Sequence, residues 1–224
     1  MVGGTPKNSL TAGDRRKPGS VADIYRSFRE LEEAEREGEV WARDHEDRGS
    51  RILVMAPHGG WIEPLTAEVA LAVAESDFSF YSFRGTREEG NARLHITSHR
   101  FDEPVALGAA AGADQVLAIH GERTLDRAFV MVGGRCDVLR AGLEEALAEA
   151  GIPIRKPREG LDGRHRRNIC NRGRLGTGGQ LELSEGLRAQ FRREAALQAI
   201  FVRAVRGVLF PLEQRLRAAA GETP

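Results

Sequence analysis

The sequence predicts an α/β fold with parallel strands at its centre, on three observations. The run Ile52-Leu53-Val54-Met55-Ala56 has the length and β-branched content of a strand buried on both faces, and His58 follows it just ahead of Gly59-Gly60. A second apolar run, Val116-Leu117-Ala118-Ile119, ends the same way in His120-Gly121. Between them lie helix-forming stretches: Leu65, Val69, Leu71, Ala72 and Val73 after Pro64, and the alanine-rich segment Pro104 to Ala111. Strands separated by helices run parallel and end on one edge of their sheet. Open α/β sheets bind ligands in the crevice at those carboxyl ends, so His58 and His120 are expected to converge there.

The other elements follow in order. Residues 1–19 are rich in Gly, Pro, Ser, Lys and Arg and are read as a flexible tail. Ser20 to Asp23 offers a capping start for a short helix with Ile24, Tyr25, Phe28 and Leu31 at helical spacing and an acidic, solvated face. Gly59-Gly60 is expected to end the first strand, leaving His58 at its tip. Phe78 to Arg84 is aromatic-rich and alternating, a strand. A polar turn at Thr86 to Ala92 leads to Leu94-His95-Ile96-Thr97-Ser98, read as its hairpin partner at the sheet edge. Phe129 to Val132 is a strand closed by Gly133-Gly134. Leu139 to Ala150 is an amphipathic helix with Leu139, Leu143 and Leu147 on one face, stopped by Gly151 and Pro153. Gly160 to Gly179 is a long Arg/Asn/Gly loop, Gln180 to Ser184 a short alternating strand, and Glu185 to Ala220 helical with a break expected near Gly207 and Pro211. No linker divides the chain, so residues 20–224 are expected to form one domain.

At 224 residues, with 41% hydrophobic and 29% charged, the chain can bury a real core. Thirty-three basic residues balance thirty-three acidic ones, so nothing global points to nucleic acid or an anionic membrane. Two cysteines, Cys136 and Cys170, make neither a disulfide framework nor a thiolate metal site. The start lacks the apolar core of a signal peptide, and no run is expected to approach the ~18 apolar residues of a membrane span. A soluble, cytoplasmic protein is expected.

His58 and Glu63 flank one strand-to-helix turn, and His120 ends a neighbouring strand. Two imidazoles and a carboxylate are a zinc ligand set that leaves one tetrahedral position for water. Spacing alone leaves a solvated-surface reading of the His58/Glu63 pair open. Hydrolysis at such a site needs a further carboxylate to take the water's proton and pass it to the leaving amine. Glu182 is the candidate, although spacing alone favours a solvent-facing strand residue there. The loop Arg164 to Arg174 holds five arginines in eleven residues, suited to carboxylate or phosphate recognition, and it has no aromatic residue for base stacking. His95 is read as a strand histidine that would substitute if His120 failed. His45 and His165 are read as exposed, His99 as uninvolved, and Cys170 as a semi-buried thiol.

The stretches MAPHGGWIEPLTAE, YSFRG, LHITSHRFDEP, AIHGE, VMVGG, NICNRG and GGQLELS, in this order, resemble the poly-γ-glutamate hydrolase family of bacteriophages and bacteria over Val21 to Phe191. The resemblance implies a three-layer α/β/α domain around a mixed, largely parallel sheet, similar to zinc carboxypeptidases. It implies Zn2+ held by His58, Glu63 and His120, with Glu182 as general base. It loosely implies Asn168, Asn171 and Arg172 as substrate-carboxylate contacts, and a polyanionic γ-glutamyl substrate, with release by lysis one route to an extracellular polymer. Trp61 stands where the family leads one to expect a third small residue. Two rivals stay open at this point. One is a zinc hydrolase of another carboxylate-bearing amide, and the other is a non-catalytic, replication-associated protein gripping nucleic acid through the arginine loop.

Overall fold

In the computed structural model, which describes residues 23–222, the apolar runs stand side by side in a seven-stranded sheet. The strands are β1 (Trp41–Glu46), β2 (Ile52–Gly60), β3 (Ser79–Gly85), β4 (Gln115–Glu122), β5 (Val130–Gly134), β6 (Ile154–Arg155) and β7 (Gly179–Ser184), in the order β1-β3-β2-β4-β7-β5-β6. β3, β2, β4 and β7 are mutually parallel. β1 and β5 join antiparallel, and β6 lies parallel to β5. The sheet is therefore mixed and largely parallel, as expected. The helices are α1 (Phe28–Ala34), α2 (Thr66–Ala74), α3 (Pro104–Gly112), α4 (Asp137–Glu149), α5 (Glu185–Arg193) and α6 (Ala195–Ala219).

Two cores sandwich the sheet because alternate residues of each strand face opposite sides. Ile52, Val54, Ile119, Leu181 and Leu183 pack with residues of α2, α4, α5 and α6, among them Val69, Leu143, Phe191 and Phe201. Leu53, Met55, Val116, Ala118, Tyr81 and Phe83 face the other way, against Phe28, Leu31, Phe101, Ala106, Ile169 and Cys170. Burial on both faces is why β2 and β4 read as unbroken apolar runs. Each buried Val, Leu, Ile, Met or Phe among them contributes about 1.5–3 kcal/mol.

Several expectations are corrected. Leu94 to Ser98 is no strand: a 3-10 turn covers Asn91–Leu94, and β3 pairs instead with β1 and β2. Strand β1 escaped notice because, as an edge strand, it carries Arg43, Asp44 and Glu46, whose charges guard the open side. The C-terminal helix breaks at Glu194, between α5 and α6, and not at Gly207 or Pro211. Pro211 sits on the exposed side of α6. Helix α1 is capped by Ser27, whose side chain accepts from the Glu30 N–H. The predicted tail and Ser20 to Ala22 lie outside the described residues. Among the described helices α6 is long and apolar enough to cross a membrane, contrary to the expectation that no run approaches that length. Its buried Phe201, Val205 and Leu209, spaced by four, follow the pattern of a core helix.

Candidate active site

His58 owes its orientation to a β-bulge. Along β2 the pairing with β3 runs Ala56 to Ser82 and then Gly59 to Arg84, so three steps on one strand match two on the other. One extra residue reverses the alternation. His58 consequently faces the side of Leu53 and Met55, with its ring edge-on to Phe101 at 6.0 Å. The two glycines do not end the strand, as expected, but let it bulge. A Cβ on Gly59 would lie 2.7 Å from the Ala67 Cβ, and Gly60 has φ of 61°.

The chain then doubles back: the Glu63 N–H donates to the His58 carbonyl at 2.9 Å and the Thr66 hydroxyl to the Glu63 carbonyl at 2.7 Å. This returns the Glu63 carboxylate onto the histidine that precedes it. Glu63 Oε1 lies 3.2 Å from His58 Nδ1, and Oε2 lies 3.6 Å from His120 Nδ1. The two Nδ1 atoms are 3.2 Å apart. His58 Nε2 donates to the Ile96 carbonyl at 2.8 Å, which assigns the lone pair to Nδ1. His120 Nε2 lies 3.4 Å from the Ser98 hydroxyl. Three acceptor atoms thus converge, all within 4.8 Å of one another. A tetrahedral ion with bonds of about 2.1 Å holds its ligand atoms about 3.4 Å apart, so the donor set fits zinc in both type and spacing.

Electrostatics agree with a cation there. Burial pushes Glu63 up, but the charges and hydrogen bonds of His58 and His120 outweigh it and hold the carboxyl well below its usual range. Glu182 goes the other way: burial first, then the Glu63 and Glu122 carboxylates, push it well above that range. It pairs in register with His120 on the neighbouring strand, so both project from one face. Gln180 donates to Glu182 Oε1 at 2.8 Å and accepts from Asn168 Nδ2 at 2.9 Å, which holds the carboxylate in place. Glu182 is buried, not solvent-facing, because β7 is an interior strand.

Residues 25–204 match the family model for poly-gamma-glutamate hydrolase. The chain belongs to the poly-gamma-glutamate hydrolase family. Among the family's relatives it is 37% identical over 171 residues to the UPF0714 protein YndL of Bacillus subtilis (strain 168), covering 74% of this chain and 66% of YndL. This chain thus spans just under two thirds of that relative. A bacteriophage poly-gamma-glutamate hydrolase superposes with a TM-score of 0.81 at 28% identity, covering 85% of this chain and 98% of the phage protein. A zinc-free form of YndL superposes with a TM-score of 0.76 at 31% identity, covering 83% and 98%.

The remaining site residues are placed as follows. Asn168 and Asn171 are buried and occupied within the arginine loop: Asn168 accepts from the Cys170 N–H, while Asn171 donates to the carbonyls of Gly163 and His165 and accepts from the Gly178 N–H. Arg172 is exposed and lines a cavity near the opposite sheet edge. His95 stands closer to the centre than its reading as a strand histidine allowed. Its ring is 4.1 Å from that of His58, with Nε2 3.9 Å from Glu63 and Nδ1 2.8 Å from Asp23. Burial pushes Asp23 up, yet hydrogen bonds from His95 and Thr97 prevail and lower it to about 2. Trp61, 60% exposed, stands on the surface beside the bulge. Cys170 is buried and its thiol is pushed up by burial.

Arg188 was missed. Its guanidinium, on a residue only 4% exposed, donates to the carbonyls of Pro64 at 2.7 Å, Glu122 at 3.1 Å and Leu183 at 3.2 Å. Those carbonyls belong to the three segments that carry Glu63, His120 and Glu182. One side chain therefore ties together the backbone beneath the site. The available signal was its position three residues before the buried Phe191, on the inner face of α5.

Proposed function

We propose that the protein is a zinc-dependent hydrolase that cleaves the γ-glutamyl amide bonds of poly-γ-glutamate, with residues 20–224 acting as one domain. The observation that carries the reading is the convergence of His58 Nδ1, His120 Nδ1 and the Glu63 carboxylate at tetrahedral spacing. Family membership and the existence of a zinc-free form of YndL support it. His58, Glu63 and His120 would hold the zinc, which would supply Lewis acidity for polarising the scissile carbonyl and acidifying a water.

The chain's own residues do the rest. The Ile96 carbonyl holds the His58 ring so that Nδ1 faces inward. Gln180 aims Glu182, which takes a proton from the attacking water and delivers it to the departing amide nitrogen as the C–N bond breaks. Glu182 is buried and the Glu63 side chain is only 13% exposed, which limits screening of both carboxylates by bulk water. Arg172 contacts substrate carboxylates, and Asn168 and Asn171 act by holding the loop that presents it. Glu182→Gln tests the assignment: zinc is retained and hydrolysis of poly-γ-glutamate is lost, whereas full activity in that variant rejects Glu182 as the base.

A further inference from the structure

Where β5 ends, the Gly160 to Gly179 loop borders an open cavity of about 500 Å3 lined by Arg135, Arg166, Arg172, Leu175 and Thr177. Arg166 and Arg172 are exposed, and neither has a carboxylate partner among the described residues. Arg135 donates to the Arg164 carbonyl at 3.4 Å, while its Nε is buried with no acceptor. Of the nearby acids, Asp114 pairs with Arg51 and Arg174 and Asp137 with Arg140, while Asp162, whose carbonyl accepts from the Gly134 N–H, takes the Arg164 backbone N–H on its carboxylate. From Gly163 to Leu181 the chain has five arginines and no carboxylate at all. Uncompensated guanidinium groups around one concavity repel each other, and a ligand carrying several carboxylates relieves that cost through charge-assisted hydrogen bonds.

The cavity is separate from the zinc ligand set. Arg135 and Cys136 donate their N–H groups to the Gly178 carbonyl, just before β7 begins, whereas Glu182 lies three residues into that strand from Gly179, about 10 Å further along. No aromatic side chain lines the cavity, which argues against a nucleic acid that would need stacking.

We propose that this cavity is a second binding station for poly-γ-glutamate. It takes the free carboxylates of γ-linked residues some distance along the polymer from the bond being cut, so that long chains are processed better than short ones. The inference rests on the substrate class proposed above.

The experiment compares wild type with Arg135→Gln/Arg166→Gln. Neither side chain is part of the zinc ligand set or bonded to it. The ratio of kcat/KM on long poly-γ-glutamate to that on a γ-linked tripeptide of glutamate is expected to fall about tenfold in the double variant, through KM, and to fall in wild type as salt is raised. An unchanged ratio, or an equal loss on both substrates, overturns the proposal. Equilibrium binding of labelled polymer to Glu182→Gln protein, with and without the arginine pair, reads the cavity whether or not the chain hydrolyses anything. Polymer affinity left unchanged by the double substitution overturns the proposal, as does binding of a single-stranded oligonucleotide that the substitution abolishes while polymer binding is absent.

Discussion

Replacing Arg188 by Met keeps most of the side chain's length while removing its charge and every donor. Three carbonyls on three segments lose their partner at once. A hydrogen bond to a charged group contributes about 1.5 kcal/mol at the low end, so the three together amount to about 4.5 kcal/mol. Against this stands the cost of burying a guanidinium, which appears in the structure as desolvation drawing Arg188 below its ordinary pKa. A net loss of about 3 kcal/mol is expected. With a urea m-value of about 2 kcal/mol/M, the unfolding midpoint of chelated protein drops by about 1.5 M. The segments bearing Glu63, His120 and Glu182 also lose their common tie, so zinc affinity falls by about tenfold or more, the range seen when outer partners of metal ligands are removed. Arg188→Lys restores the charge but not the planar fork and recovers less than half of either loss. A midpoint shift below about 0.5 M, or zinc affinity equal to wild type in Arg188→Met, refutes the view that this guanidinium holds the site together.

Three further outcomes are expected. Because the Glu182 pKa is raised in the folded, metal-free protein, its contribution to stability is full below the ordinary carboxylate range and is lost as pH rises toward the folded value. Glu182→Gln removes that loss, so the chelated variant outlasts wild type in urea at pH 7 and the gap closes near pH 4, while zinc-loaded activity drops by about a hundredfold or more. A wild type that is the more stable of the two at pH 7 contradicts the burial argument. For Asp23 the sign is opposite. A fall from 3.8 to about 2, at about 1.36 kcal/mol per unit, contributes about 2 kcal/mol that is present above pH 3.8 and disappears as pH drops toward 2. Asp23→Asn should show that deficit in urea melts at pH 7 and little of it near pH 2. Gly59→Ala places a methyl 2.7 Å from the Ala67 Cβ and 3.2 Å from the Phe83 carbonyl. It is expected to cost about 1–3 kcal/mol and to weaken zinc binding by turning His58, both measurable by calorimetry.

The parts of this molecule that sequence made legible are those governed by short-range patterning. β2 and β4 announce themselves because burial on both faces demands an unbroken apolar run, and their histidine-glycine ends mark the ligand-bearing edge. Leu139, Leu143 and Leu147 likewise mark the inner stripe of α4. What stayed hidden depends on long-range pairing. Nothing local says that a three-for-two register step turns His58 around, since Gly59 and Gly60 serve equally well as strand terminators. The same is true of His95, whose place beside His58 comes from a 3-10 turn and a carboxylate 72 residues earlier, at Asp23. Asn168 and Asn171 carry the right chemistry to grip a carboxylate, but the loop's own carbonyls and N–H groups claim them first. Charge misled at both ends of the chain. The charged residues Arg43, Asp44 and Glu46 hide β1, and nothing local distinguishes Arg188 from Arg192 and Arg193, which are exposed on the same helix.

The central claim is that one zinc ion, held by His58, Glu63 and His120, enables hydrolysis of a γ-glutamyl polymer. The most direct measurement is a zinc titration of chelator-treated protein, following the size of poly-γ-glutamate. Activity is expected to be absent at the start and to rise to a plateau at about one zinc per chain, with no recovery in Glu63→Gln. Polymer cleavage that persists through chelation, or that is restored fully in Glu63→Gln, contradicts it.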